Sequence, residues 1–127
     1  MKAQIAMQFL VIISIVFVMF TVFVVGFAER YNDILMDRER LALKDVALKV
    51  HDEIMIAHNL RDGYQREFTL PDLVEGDNYT IYITPNSNIV VASGNNLEYS
   101  TQVAPVQGQL TKGFNLIRKS GGVVWIN

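Results

Sequence analysis

The sequence predicts an α+β protein: a long N-terminal helix, apolar then amphipathic, packed against a small antiparallel β-sheet head. Three observations predict it. Residues Phe9–Ala28 contain no charged side chain, and Ser14 and Thr21 are their only polar ones. Glu29–Leu60 contains neither proline nor glycine and repeats its apolar residues at helical spacing. After Gly63 the pattern changes to period two, broken by Asn/Gly-rich turns.

The apolar run comes first. Twenty residues rising about 1.5 Å each span roughly 30 Å, the thickness of a bilayer's hydrocarbon core. Its β-branched content is high, yet lipid offers backbone groups no partners, so helix is the conformation that satisfies them. A soluble core helix of this length, apolar all round, would need far more enclosing chain than the remainder supplies. A cleavable secretory signal is the other alternative, but it calls for a shorter apolar core and a small-residue cleavage site. Val25-Gly26-Phe27-Ala28 is a poor one. The segment is therefore expected to be retained. Of eleven Lys and Arg residues only Lys2 precedes the segment, and all thirteen Asp and Glu residues follow it. Lys2 favours a cytoplasmic N-terminus and an extracytoplasmic head, while Arg30, Arg38 and Arg40 pull the other way.

The helix is expected to continue through Leu60, for roughly 84 Å from Ile5. Ile34, Leu35, Leu41, Ala42, Val46, Val50, Ile54 and Ala57 mark its apolar positions, and Asp37, Arg38, Lys44, Asp45, Lys49 and Asp52 the opposite faces. Asp45 and Lys49 stand four apart in the favourable acid-first order. Arg61-Asp62-Gly63 supplies the stop, with Gly63 suited to a left-handed cap.

Six strands follow: Glu67–Leu70, Tyr79–Thr84, Ile89–Ser93, Leu97–Val103, Gly113–Lys119 and Val123–Ile126. Their turns are Gly76-Asp77-Asn78, Pro85-Asn86-Ser87-Asn88, Ser93-Gly94-Asn95-Asn96 and Ser120-Gly121-Gly122. Close succession predicts an antiparallel meander whose last hairpin closes at Ser120-Gly121-Gly122. A head of about 65 residues is marginal for a core of its own. Its sheet should pack on the striped helix, with Ile81, Ile83, Val90 and Trp125 meeting Val46, Val50 and Ile54.

The composition also excludes classes of function. With no cysteine there is no disulfide framework, thiolate zinc site or thiol chemistry. The mildly acidic part after residue 28 argues against a nucleic-acid partner. His51 and His58 stand seven apart on one helical face with Asp62 four beyond, but no further ligand joins them, so no metal is expected. No nucleophile elbow or glycine-rich phosphate loop frames any Ser/His/Asp combination, and the chain reads as a non-enzyme without cofactor. Asn78-Tyr79-Thr80 is an N-glycosylation sequon at a turn entering a strand, and an unmodified turn is the alternative reading.

The first turn holds the most specific signal. Lys2-Ala3-Gln4-Ile5-Ala6-Met7-Gln8-Phe9-Leu10-Val11-Ile12 resembles the class III signal peptide of archaeal type IV pilin-like proteins. That family's pattern is Gln-x-Ser-x-Glu-x-x-x-Leu after a short Lys-Gly or Lys-Ala stub. Gln4 matches the first position, Ala6 stands for the Ser, Gln8 for the Glu and Ile12 for the Leu. The resemblance implies a stub at residues 1–3, a transmembrane and assembly helix at 4–28, its amphipathic continuation at 29–62, and a β head at 63–127. It further implies cutting between Ala3 and Gln4 by a membrane prepilin-type peptidase, and packing with other pilin subunits through the N-terminal helix in a cell-surface filament. The family glutamate is taken to neutralise the N-terminal amine of a neighbouring subunit during assembly. Gln8 carries no charge, which points to a minor, tip or priming subunit. A membrane-tethered binding module that never polymerises is the competing expectation.

Overall fold

The computed structural model describes residues Met1 to Asn127. Helix α1 runs unbroken over 58 residues, Lys2–Asn59, and seven strands follow it. The chain divides into two compact units, Met1–Asp37 and Arg38–Asn127, and α1 contributes to both.

In the first unit every residue is exposed. The apolar side chains from Phe9 to Phe27 project from all sides of the helix, and none is covered by protein.

In the second unit the strands are β1 Gln65–Leu70, β2 Thr80–Thr84, β3 Ile89–Gly94, β4 Leu97–Gln102, β5 Val106–Gly108, β6 Gly113–Ser120 and β7 Val123–Ile126. They form two sheets where one meander was expected. The smaller sheet, β2-β3-β4, is an antiparallel meander, and the larger has the order β1-β6-β7-β5. The expected pairing holds within β2–β4 and in the β6–β7 hairpin. It fails at two places. Strand β1 pairs antiparallel with the distant β6, and the unforeseen β5 lies parallel to β7.

The first departure begins at the end of the helix. Gly63 N–H donates to the Lys119 carbonyl at 2.9 Å, and Lys119 N–H donates to the Tyr64 carbonyl at 2.8 Å. The chain leaving α1 is thus bonded to β6 before β1 begins. The second departure depends on Gly108, whose φ of +106° and contact with Ile126 leave no room for a side chain. Only glycine allows two backbones to approach so closely.

The core lies between one stripe of α1 and both sheets. Leu43, Val46, Ala47, Val50, Ile54 and Ala57 are buried, at steps of three or four residues that keep them on one face. The larger sheet contributes Phe68, Leu70, Ile117, Val124 and Ile126 to the same cluster, and the smaller sheet contributes Ile81, Val90 and Ala92. Ile83 packs at the margin. Trp125 does not join them. It follows the buried Val124 and precedes the buried Ile126, so strand alternation turns it to the outer face, where it is 37% exposed.

The hairpins explain the register. Gly121 and Gly122 both have positive φ between the paired Ser120 and Val123, as a two-residue I′ turn requires. Asn95 and Asn96 do the same between Gly94 and Leu97.

Candidate functional site

The residues singled out by the sequence motif lie at the start of α1. Ala3, Gln4, Ala6, Gln8 and Ile12 are all helical and exposed. Gln4, Gln8 and Ile12 follow at steps of four, which places them along one face. The bond between Ala3 and Gln4 lies in the first helical turn, which holds no acidic residue. Lys2 stands there instead, and a cation at a helix N-terminus opposes the helix dipole. The first inter-turn bond, Ile5 N–H to the Met1 carbonyl, is long at 3.3 Å. These features weaken the first turn, which as a helix end already lacks intrahelical partners for its N–H groups.

Beyond that turn, the helix solves the polar problem of an apolar environment internally. Ser14 Oγ donates to the Leu10 carbonyl at 2.8 Å, and Thr21 Oγ1 donates to the Phe17 carbonyl at 2.9 Å. Each hydroxyl returns its proton to the carbonyl four residues back, so neither needs an outside partner. The Phe23 and Phe27 rings stack along one side with centroids 5.9 Å apart. This is one helix long and apolar enough to cross a membrane.

The other predicted positions fall apart in space. His51 Nδ1 donates to the Gln102 carbonyl at 2.9 Å, which ties α1 to the end of β4. Asp62 Oδ1 accepts from Gly122 N–H at 3.0 Å and so braces the β6–β7 turn. His58 is exposed, and its carbonyl accepts from Lys119 Nζ at 2.6 Å. His51 and Asp62 thus tie the fold together through their side chains, and His58 through its backbone carbonyl. Asn78 is exposed in the loop ahead of β2, and its Oδ1 accepts from Lys112 Nζ. The following residue, Tyr79, is buried, and its hydroxyl donates to the Pro71 carbonyl at 2.6 Å. Burial, and then the nearby Asp72 carboxylate, hold the Tyr79 phenol above its ordinary pKa.

Two arrangements in the head escaped the sequence. Lys119 closes the helix end by donating to the carbonyls of His58 and Leu60, at 2.6 and 2.8 Å. Gln65, Arg118 and Trp125 stand side by side across β1, β6 and β7. The only sequence signal for the second was alternation around Trp125, and alternation does not say which face is inside.

Comparison with protein-family models, with curated proteins and with solved structures finds no match to this chain.

Proposed function

We propose that the chain is a non-enzymatic, membrane-anchored subunit of an archaeal type IV pilus-like surface filament. A prepilin-type peptidase cuts it between Ala3 and Gln4, its N-terminus faces the cytoplasm, and its head is extracytoplasmic. The observation that carries the reading is the continuity of α1. One unbroken helix joins a charge-free, wholly exposed apolar segment to the stripe on which the β head is built. An apolar surface of this kind suits lipid before assembly and neighbouring helices afterwards, because neither environment has to accommodate an unpaired hydroxyl.

Cleavage leaves a positive amine on Gln4, with Gln8 one turn further along. The Gln8 amide carbonyl accepts a hydrogen bond from such an amine without neutralising it, which offsets less of the amine's desolvation than a carboxylate does. This fits a minor subunit better than a major one. It is also the one observation that favours the second reading, a tethered binding module that never polymerises. Asn78, exposed in its sequon, is the place for an N-glycan on either reading.

The test is the N-terminal residue of the protein co-expressed with a prepilin-type peptidase. Gln4 is expected at the mature N-terminus; an intact Met1 would sink the filament reading and leave the tether. Labelling the head and imaging surface fibres then separates assembly from tethering. In the same assay Gln8→Glu should raise fibre yield, and an unchanged or lower yield counts against the role given to Gln8.

A further inference from the structure

The larger sheet turns one face to the core and the other to solvent, and the solvent face is not uniformly polar. A groove of about 450 Å³ opens at one end of it, with Tyr64, Gln65, Arg118, Lys119, Ser120 and Trp125 along its walls. That volume lies within the usual range for small-ligand sites, about 300–1,000 Å³.

Backbone pairing fixes the centre of the groove. Gln65 pairs with Arg118, and Arg118 with Trp125, so the amide, the guanidinium and the indole form one row across three strands. The strands are held from behind by Ile117, Val124 and Ile126, all fully buried. A planar aromatic ring and a planar cationic fork therefore stand side by side on a rigid support.

The charges in the groove are unevenly committed. The Lys119 ammonium is taken up by the His58 and Leu60 carbonyls, and Asp62, outside the groove's lining, bonds Gly122 N–H. Arg118 is exposed and has no carboxylate within 4.0 Å, the one ion pair in the protein being Arg66–Glu53. Glu67 lies on the same face one row away, opposite Leu116, and does not pair with Arg118. Arg118 is the uncommitted charge of the groove, and its complement is an anion.

We propose that this groove binds an acidic oligosaccharide, with one sugar ring stacked on Trp125 and a ring carboxylate held by Arg118. A pyranose presents an apolar C–H face and a rim of hydroxyls, and an indole beside amide, hydroxyl and guanidinium groups matches both. The carboxylate supplies the charge, and the guanidinium fork binds it through two parallel N–H donors. The apolar part of the groove is the Trp125 indole and the partly buried Tyr64 ring, which together are small for a protein partner. The next exposed aromatic on this face, Phe114, is four residues along β6 from Arg118, about 14 Å away at strand rise. Binding of this kind does not depend on filament assembly, because a tethered head presents the same groove.

Trp125 is the only tryptophan in the chain, so its emission reports on the site directly. The full chain, held in micelles of a detergent without a sugar headgroup, is titrated with hexameric oligogalacturonate, with a hyaluronan hexasaccharide and with neutral cellohexaose. A saturable change in emission is expected with an acidic probe, at about tenfold higher affinity than with cellohexaose, the worth of one charge-assisted pair. Arg118→Gln should erase that preference, and Trp125→Ala, followed by calorimetry, should weaken binding at least about tenfold, with far-UV circular dichroism verifying that both variants fold. Absence of a saturable response to both acidic probes overturns the proposal, as does a preference that survives Arg118→Gln. An emission change that follows protein concentration without sugar also overturns it and assigns the groove to a second copy of the chain.

Discussion

Gly108→Ala tests the structural reason for β5 most sharply. A Cβ built on Gly108 would lie 1.9 Å from the Ile126 carbonyl oxygen, where contacts under 3.0 Å essentially never occur. The gap must therefore widen by at least 1.1 Å, the difference of those two distances. The obstacle is backbone, so no rotamer change relieves it. Two costs add. The φ of +106° is strained for any L side chain, at about 1–3 kcal/mol. Separating β5 from β7 also forfeits ladder hydrogen bonds worth about 1 kcal/mol each and the packing of Val106 at the core margin. The expected loss is about 3–5 kcal/mol, a large share of the 5–15 kcal/mol typical of whole domains. Denaturant unfolding of the full chain in micelles, read by Trp125 emission on β7, measures it. Gly76→Ala is the control: its φ is +88° but its surroundings are open, so it bears the strain without the clash. If Gly108→Ala lowers the midpoint no further than Gly76→Ala does, the close approach of β5 and β7 is not what Gly108 is for.

Three further outcomes follow from the head. Lys119→Met should cost about 1–2 kcal/mol by leaving the last helical carbonyls unbonded; hydrogen exchange at Asn59 and Leu60 should accelerate, and unchanged protection would refute the clamp. Glu53 is 7% exposed, its Oε2 accepts no hydrogen bond, and its one cation, Arg66 Nε at 3.5 Å, belongs to a half-exposed side chain. Arg66→Met should cost about 1–2 kcal/mol, below the full price of stranding a buried charge because solvent screens the pair, and adding Glu53→Gln should recover most of it in thermal unfolding. Tyr79→Phe should cost about 1 kcal/mol at neutral pH through the lost bond to Pro71. The fold holds the Tyr79 proton beyond the ordinary phenol value, about 10, so this stabilisation is complete below that value and is lost as pH rises through the folded pKa. The parent should therefore lose stability more steeply than the Phe variant as pH rises above about 10, and parallel curves would refute the assignment.

The sequence spoke clearly where one residue's neighbours along the chain decide its environment. The charge-free run, the stripe from Val46 to Ala57 and the Asn/Gly turns are all local patterns, and they place six of the seven strands to within two residues and α1 to within three. Pairing is not local. Nothing near Glu67 announces that its strand lies beside Leu116. The three residues of β5, just after Pro105, are too few to show alternation, and what places them is Gly108 meeting Ile126. Trp125 went astray for a related reason. Period two divides a strand into two faces without naming the inner one, and Trp125 looked like core because it is large and apolar. The groove it lines needs three strands at once, so no stretch of sequence contains it. The motif at Gln4 and Gln8 is the reverse case: it is wholly local and depends on no pairing between distant strands.

The Lys119 clamp has a mechanical consequence. Traction reaching the head along α1 pulls on the buried stripe from its Leu43 end, in shear against both sheets. The Lys119 ammonium grips the opposite end of that stripe and belongs to a strand paired on both sides. Load carried to the end of the helix therefore passes through Lys119 into β6 and, by backbone pairing, into β1 and β7.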